Sequence, residues 1–179
     1  PRDEAPAHGQ GPLDEAAVRA MVDSEQGWID RRIFWDPQVY ALEMERIFAR
    51  CWIFIAHDSQ IPEVGDFLTT YVGEDAVIVA RARDRQVHAF INSCSHRGNR
   101  VCFAEAGSAR RFTCNFHGWS YALDGSLSGV TGEELYNDNP TFDRSKLGLH
   151  KARVESHGGM HFACFDPEAP SLADYLGEF

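Results

Sequence analysis

Four residues near the middle of the chain have the types and spacing of a metal site. Cys94 and His96 form a C-x-H pair, and Cys114 and His117 form a C-x-x-H pair. The stretch Arg97 to Thr113 separates them, and a glycine follows each pair, Gly98 and Gly118. Thiolates are soft ligands that suit zinc or the iron of an iron–sulfur cluster; imidazole suits zinc or iron. Two readings follow. One is a closed Cys2His2 structural zinc. The other is a two-iron, two-sulfide cluster in which two imidazoles replace two thiolates on one iron. Zinc knuckles usually pair like residues, whereas here each loop supplies one Cys and one His, which favours the cluster.

Charge counting shows what such a cluster would do. Two ferric ions, two sulfides and two thiolates sum to zero when both imidazoles are neutral. An all-cysteine cluster would carry two negative charges. An electron enters a neutral centre more easily, so potentials lie at roughly −150 to +300 mV, against about −400 mV for plant-type ferredoxins. The imidazole-bound iron, with neutral ligands, is expected to take the electron. The added negative charge should then raise the pKa of the imidazoles.

Short strands must present these ligands. The pattern predicts strands at Trp52–Ala56, Phe67–Val72, Ala76–Arg81 and Val87–Ile91, with Gly73 and Arg83-Asp84-Arg85 as turns. Phe112-Thr113 leads into the second ligand loop and Trp119–Ala122 leaves it, with a turn at Asp124-Gly125 before Ser126-Leu127. Gly129 to Lys146 reads as polar and irregular. Lys151–Ser156 and Met160–Phe165 read as a hairpin across His157-Gly158-Gly159. Upstream, helical spacing runs from Leu13 to Gln26, and Ile33-Phe34-Trp35 reads as extended. Asp36-Pro37 reads as the cap and first turn of a helix to about Arg50 that buries Tyr40, Met44, Ile47 and Phe48. The expected fold is mainly β: a small antiparallel sandwich or barrel with two ligand loops, preceded by two N-terminal helices. The expected divisions are a mobile tail at 1–12, a helical arm at 13–50, the cluster domain at 51–168, and the start of a linker at 169–179.

Composition supports a folded chain and narrows its partners. Hydrophobic residues make up 44% of the 179, enough for a core, and no apolar run reaches the length of a membrane span. Pro1 to Pro12 is small and polar, unlike a secretory signal, and the missing initiator Met suggests a processed or cut chain. A net charge of −10 argues against nucleic acid. Five cysteines, two of them at ligand spacing, favour a reducing, cytoplasmic compartment over a disulfide framework. Cys51 and Cys164 sit in apolar runs and read as core residues, and Cys102 as a free thiol. Arg97, Arg100, Arg110 and Arg111 read either as a patch for an acidic electron donor or as partners of Glu105 and other carboxylates. Phe116 and Trp119 are expected to shield the cluster from water. His150, His157 and His161 read as sheet and turn residues.

At these motifs the chain becomes recognisable. C-S-H-R-G (Cys94 to Gly98) and C-N-F-H-G-W (Cys114 to Trp119) resemble the Rieske motif of aromatic-ring-hydroxylating dioxygenase large (alpha) subunits of the naphthalene and biphenyl type. IFARCWIFIAHDSQIPEVGDF (Ile47 to Phe67) and LGLHKARVESHGGMHFACFDPEAPSLADYLG (Leu147 to Gly177) resemble the segments that enter and leave that Rieske domain. The resemblance implies that Cys94, His96, Cys114 and His117 hold a Rieske [2Fe-2S] cluster. The respiratory type of Rieske protein ties its loops by a disulfide, at positions that here are Asn99 and Phe116. It also places a serine donor where Trp119 stands. Both departures point to the oxygenase branch and to a lower potential. The resemblance further implies a mononuclear Fe(II) with two His and one carboxylate in a larger domain beyond Phe179, which would hold the aromatic substrate. It implies electrons from a ferredoxin or reductase, cis-dihydrodiol products, and a trimer, with or without a small subunit, in which one Rieske centre feeds its neighbour's iron. This chain alone would then be electron-transfer only. The alternative is a stand-alone Rieske ferredoxin.

Overall fold

The computed structural model describes residues 13–136, 138–139 and 142–178. The expected mobile tail at 1–12 lies outside the described residues. The chain divides after Ile47 into two compact units.

The first unit is less helical than its periodicity suggests. Helix α1 spans only Glu15–Arg19, with the Asp14 carboxylate accepting from the Ala17 N–H. The expected continuation to Gln26 is replaced by a hairpin of β1 (Val22–Asp23) and β2 (Trp28–Ile29). The cause is local. The Asp23 side chain accepts from the N–H groups of Glu25 and Gln26, and Gly27 turns the chain at φ +71°. Ile33-Phe34-Trp35 is likewise not extended: Asp30 caps a 3-10 turn over Arg31–Phe34. Helix α2 (Pro37–Glu43) starts as expected, at an Asp36 cap with Pro37 behind it, then widens into a π-turn over Met44–Phe48. Val39 is its buried residue. Tyr40 and Ile47, expected inside, are exposed.

The second unit is all antiparallel. Strands β3 (Ile53–His57), β4 (Asp66–Val72), β5 (Asp75–Arg81) and β6 (Val87–Ile91) are followed by β7 (Ala106–Ser108), β8 (Phe112–Thr113), β9 (Ser120–Tyr121) and β10 (Leu127–Gly129). The last pair, β11 (Arg153–His157) and β12 (Met160–Cys164), precedes a short helix α3 (Leu172–Leu176). The sheet orders are β6-β5-β4-β7, β11-β12-β3 and β10-β9-β8. Strand β7, unanticipated in the sequence, adds to the free edge of β4 from within the stretch that joins the two ligand pairs.

Strand alternation sorts the core into two layers. On β5, Val77 and Val79 join Ile55, Leu68, Ala89 and Ala163 between the four-stranded sheet and the β11-β12-β3 sheet. Ile78 and Ala80 point the other way, to Phe67, Phe90, Phe112 and Tyr121 beneath the small sheet. Buried on both faces, β5 is the centre of the unit. Phe112 meets Phe67 and Phe90 edge-on, with centroids 5.2 and 5.9 Å away. Such pairs add about 0.5–1.5 kcal/mol each beyond their buried area. This aromatic layer anchors the small sheet from which the second ligand loop projects.

Residues 169–179, expected as the start of a linker, contain α3, whose Leu172 is buried with Trp52 and Cys164. Trp52 Nε1 donates to the Pro170 carbonyl at 3.0 Å, and the Arg153 guanidinium lies over the Trp52 ring.

Candidate metal centre

The same turn is built twice. In the first loop Gly98 N–H donates to the Cys94 carbonyl (2.7 Å) and Cys94 N–H to the Asn99 carbonyl (2.8 Å). In the second, Gly118 N–H donates to the Cys114 carbonyl (2.9 Å) and Cys114 N–H to the Trp119 carbonyl (2.8 Å). Each five-residue turn closes on a glycine with φ near +72°, a region that L side chains avoid. At Gly118 space is short as well: a Cβ would run into Thr131 Oγ1. The histidines fall inside these turns, His96 two residues after its cysteine and His117 three after.

The fold then re-sorts the donors. The imidazoles of His96 and His117 face each other with centroids 4.7 Å apart. Cys94 and Cys114 are both buried, and their thiols are hydrogen-bond neighbours. Each sequence pair is mixed, but each spatial pair is like with like. Two like pairs of donors are what a two-iron cluster with two imidazoles on one iron needs.

The electrostatics also suit the donor set. Burial pushes the Cys114 thiol up, but the N–H groups of Phe116 and His117, the Asn99 amide and Cys94 outweigh it, holding the pKa below that of an ordinary thiol. Burial, then the neighbouring His117 and Arg97, lowers the pKa of His96 and keeps its imidazole neutral, as a metal ligand must be. Tyr121 places its hydroxyl 3.0 Å from Cys94 Sγ. Burial first, and then Cys94, raises its pKa, so it stays a protonated donor.

Side chains brace both loops. Buried Asn92 accepts from the Val101 and Cys102 N–H groups and donates to the Cys102 carbonyl, closing the first loop as a strand partner would. Asn99 donates to Asn115 Oδ1 (2.9 Å) and toward Cys114 Sγ (3.5 Å), tying the two loops without a covalent bond. The Ser95 hydroxyl donates to the Leu147 carbonyl (2.7 Å), and the Ser95 N–H donates to the Tyr121 hydroxyl oxygen (3.1 Å). Trp119, 3% exposed, stacks on His96 at 4.7 Å and 11° and is backed by Tyr136 and Phe142. Phe116 does not shield the centre as expected. It lies on His117 at 4.0 Å but is 62% exposed, because it occupies the tip of its turn. Asn92, Tyr121 and Ser95 carried no assigned role in the sequence. Their one visible signal was proximity to the ligand pairs.

Residues 51–137 match the Rieske [2Fe-2S] domain family. They form a Rieske domain. Biphenyl dioxygenase subunit alpha from Metapseudomonas furukawaii is 44% identical over 167 residues, covering 90% of this chain and 36% of that protein. Naphthalene 1,2-dioxygenase from Rhodococcus sp. bound to indole superposes with a TM-score of 0.80 at 36% identity, covering 92% of this chain and 38% of that one. A quaternary ammonium Rieske monooxygenase, whose structure was described in relation to inter-subunit electron transfer, gives 0.75 at 31% identity, over 83% of this chain and 40% of that one. This chain therefore spans little more than a third of the length of these relatives.

The remaining sequence candidates fall elsewhere in the second compact unit. His161 is buried in β12, between Ser156 Oγ and Asp58 Oδ1, and His157 ends β11. His150 stacks on Phe165. Cys102 and Cys164 are buried thiols, and Cys51 is partly buried. The four arginines come from two segments of the chain. Arg100 turns to the Cys102 carbonyl and the Phe103 ring. Arg97 is exposed on the first loop, and Arg110 and Arg111 lie on the link between β7 and β8. No ion pair joins any of them to Glu105 among the described residues. No described helix is long and apolar enough to cross a membrane.

Proposed function

We propose that Cys94 and Cys114 ligate one iron and His96 and His117 the other, in a domain spanning about residues 51–168. The like-with-like pairing of donors carries this reading. The [2Fe-2S] group supplies one-electron chemistry at raised potential. The chain's residues hold it. Tyr121 and Asn99 donate to the thiolates, Trp119 fixes the plane of His96, and the two glycine turns aim the ligands.

We further propose that the chain is the electron inlet of a multicomponent ring-hydroxylating oxygenase large subunit. A ferredoxin or reductase would supply electrons derived from NAD(P)H. A mononuclear iron elsewhere in the intact protein would add O2 to an aromatic ring to give a cis-dihydrodiol. Higher identity to the biphenyl and naphthalene enzymes than to the quaternary ammonium one favours an aromatic substrate. The half-covered His117 and the exposed Phe116 beside it give the imidazole edge an apolar margin. That margin suits contact with an acceptor subunit, hence a trimer in the intact protein, in the cytoplasm. A stand-alone Rieske ferredoxin is disfavoured because the similarity runs through the N-terminal arm as well.

Iron and acid-labile sulfide analysis, with a visible spectrum, tests the first proposal: iron and sulfide in equal amounts are expected, and a colourless protein holding zinc without sulfide would sink it. Oxygen consumption by the intact protein with its donor, across a panel of aromatic substrates, tests the second. A donor that reduces the Rieske domain without any oxygen uptake on the panel would overturn the dioxygenase reading while leaving the cluster assignment standing.

A further inference from the structure

The Rieske domain carries a second charged feature, remote from its ligand loops. An open groove of about 550 Å³ runs between the turn after β5, the β7–β8 link and the β9–β10 hairpin. Arg83, Arg110 and Arg111 line it, together with Ser126 and Ser128. The β8–β9 hairpin holds the ligand loop at its tip, and the groove lies past the opposite ends of those strands. It is thus not part of the cluster's own surface.

What sets the groove apart is the pairing its charges decline. The protein has 27 acidic and 17 basic residues, so carboxylates are plentiful. Yet Arg83, Arg110 and Arg111 are exposed and take no ion pair or side-chain hydrogen bond among the described residues. The two carboxylates in the groove are turned to other donors. Asp84 accepts from the Gln86 N–H and bonds His88. Asp124 accepts from the Ser126 N–H and hydroxyl and faces Lys151 at 3.6 Å. Three guanidinium groups therefore keep their donor forks free in one groove, open to an anion. The fork geometry matches carboxylate and phosphate oxygens in a bidentate way.

We propose that this groove is a binding site for a small polyanion, a polycarboxylate or a phosphate compound, held by Arg83, Arg110 and Arg111 with the Ser128 hydroxyl as a further donor. The site is independent of the electron-transfer role.

Isothermal titration of the cluster-loaded protein with citrate and with inorganic phosphate, at constant ionic strength set with chloride, tests it. Saturable one-to-one binding is expected for at least one of them. The stronger of the two assigns the class, carboxylate or phosphoryl. Arg83→Gln, and Arg110→Gln with Arg111→Gln, should each weaken binding roughly tenfold or more. Arg19→Gln, whose guanidinium pairs with Glu15, should not. An unchanged cluster spectrum and melting temperature in each variant would show that the fold is intact. No saturable heat with either anion, or binding that the groove variants leave unchanged, overturns the proposal.

Discussion

The His96 and His117 rings stand 4.7 Å apart, centroid to centroid, although the sequence delivers each beside a cysteine. Bound as neutral imidazoles, they would hold the formal charge of the proposed cluster at zero. Replacing His117 with Cys adds one negative charge to both redox states. The potential should fall by an amount on the order of a hundred millivolts or more, toward the all-cysteine range. Redox titration followed by visible absorption reads this directly. An unchanged potential in a variant that still binds its cluster would remove His117 from the ligand set.

Tyr121→Phe removes the hydroxyl that lies 3.0 Å from Cys94 Sγ and also accepts from the Ser95 N–H at 3.1 Å. The loss of a donor to the thiolate destabilises the reduced state, so the potential should drop. The Ser95 N–H loses its partner, at a cost of about 1–2 kcal/mol. Both a lower potential and a lower melting temperature are expected. A drop in melting temperature alone would confine Tyr121 to bracing the loop.

The two loop glycines should tolerate alanine differently. Both have φ near +72°, which costs an L residue roughly 1–2 kcal/mol. At Gly98 the nearest atom to a new Cβ is Ser93 Oγ at 3.7 Å, whereas at Gly118 it meets Thr131 Oγ1. Gly118→Ala should therefore lose more stability and cluster occupancy than Gly98→Ala. Adding Thr131→Ala should recover the difference between them. Equal losses in the two single variants would show that backbone strain alone decides.

Asp58, which follows β3, ties β5 to β12 by taking a hydrogen bond from Arg81 at 2.6 Å and one from His161 at 2.9 Å. Arg81 first, then His161, holds its carboxyl below the ordinary carboxylate range. A depressed folded pKa stabilises above the unfolded value, near ~3.9, and that contribution fades as pH falls through the folded value. The stability gap between the native protein and Asp58→Asn should be steady from neutral pH to about 5 and close below about 4. Denaturant titrations of both proteins across that range would show it. A gap that does not narrow at all between pH 5 and pH 3 would mean that the charge plays no part.

The core was legible because short apolar runs between turn residues are a local signal. β4, β5, β6 and the last hairpin lie within a residue or two of their expected bounds, since each is a β-branched and aromatic run bounded by glycine or charged turns. The first N-terminal helix is shorter than its spacing suggests, Glu15–Arg19. Its apolar spacing suits a helix, but Asp23 and Gly27 capture the chain into a hairpin, and side-chain-to-backbone competition of that kind leaves no periodic trace. Strand β7 was missed because Ala106–Ser108 has no apolar pattern; it pairs only because β4 offers a free edge.

At the site, the amino-acid sequence by itself determined the candidate donors. Two cysteines, two histidines and the glycine that closes each turn are matters of residue type and short spacing, so they can be read without coordinates. The tertiary structure decided who faces whom. It brought cysteine to cysteine and histidine to histidine across two loops, set the Tyr121 hydroxyl on Cys94, and used Asn99 to tie the loops together. It also left Phe116 exposed and gathered Arg83 with Arg110 and Arg111. Each of these depends on chain segments far apart in sequence, which only the packing of the small sheet on the β5 layer brings within a few ångströms of one another.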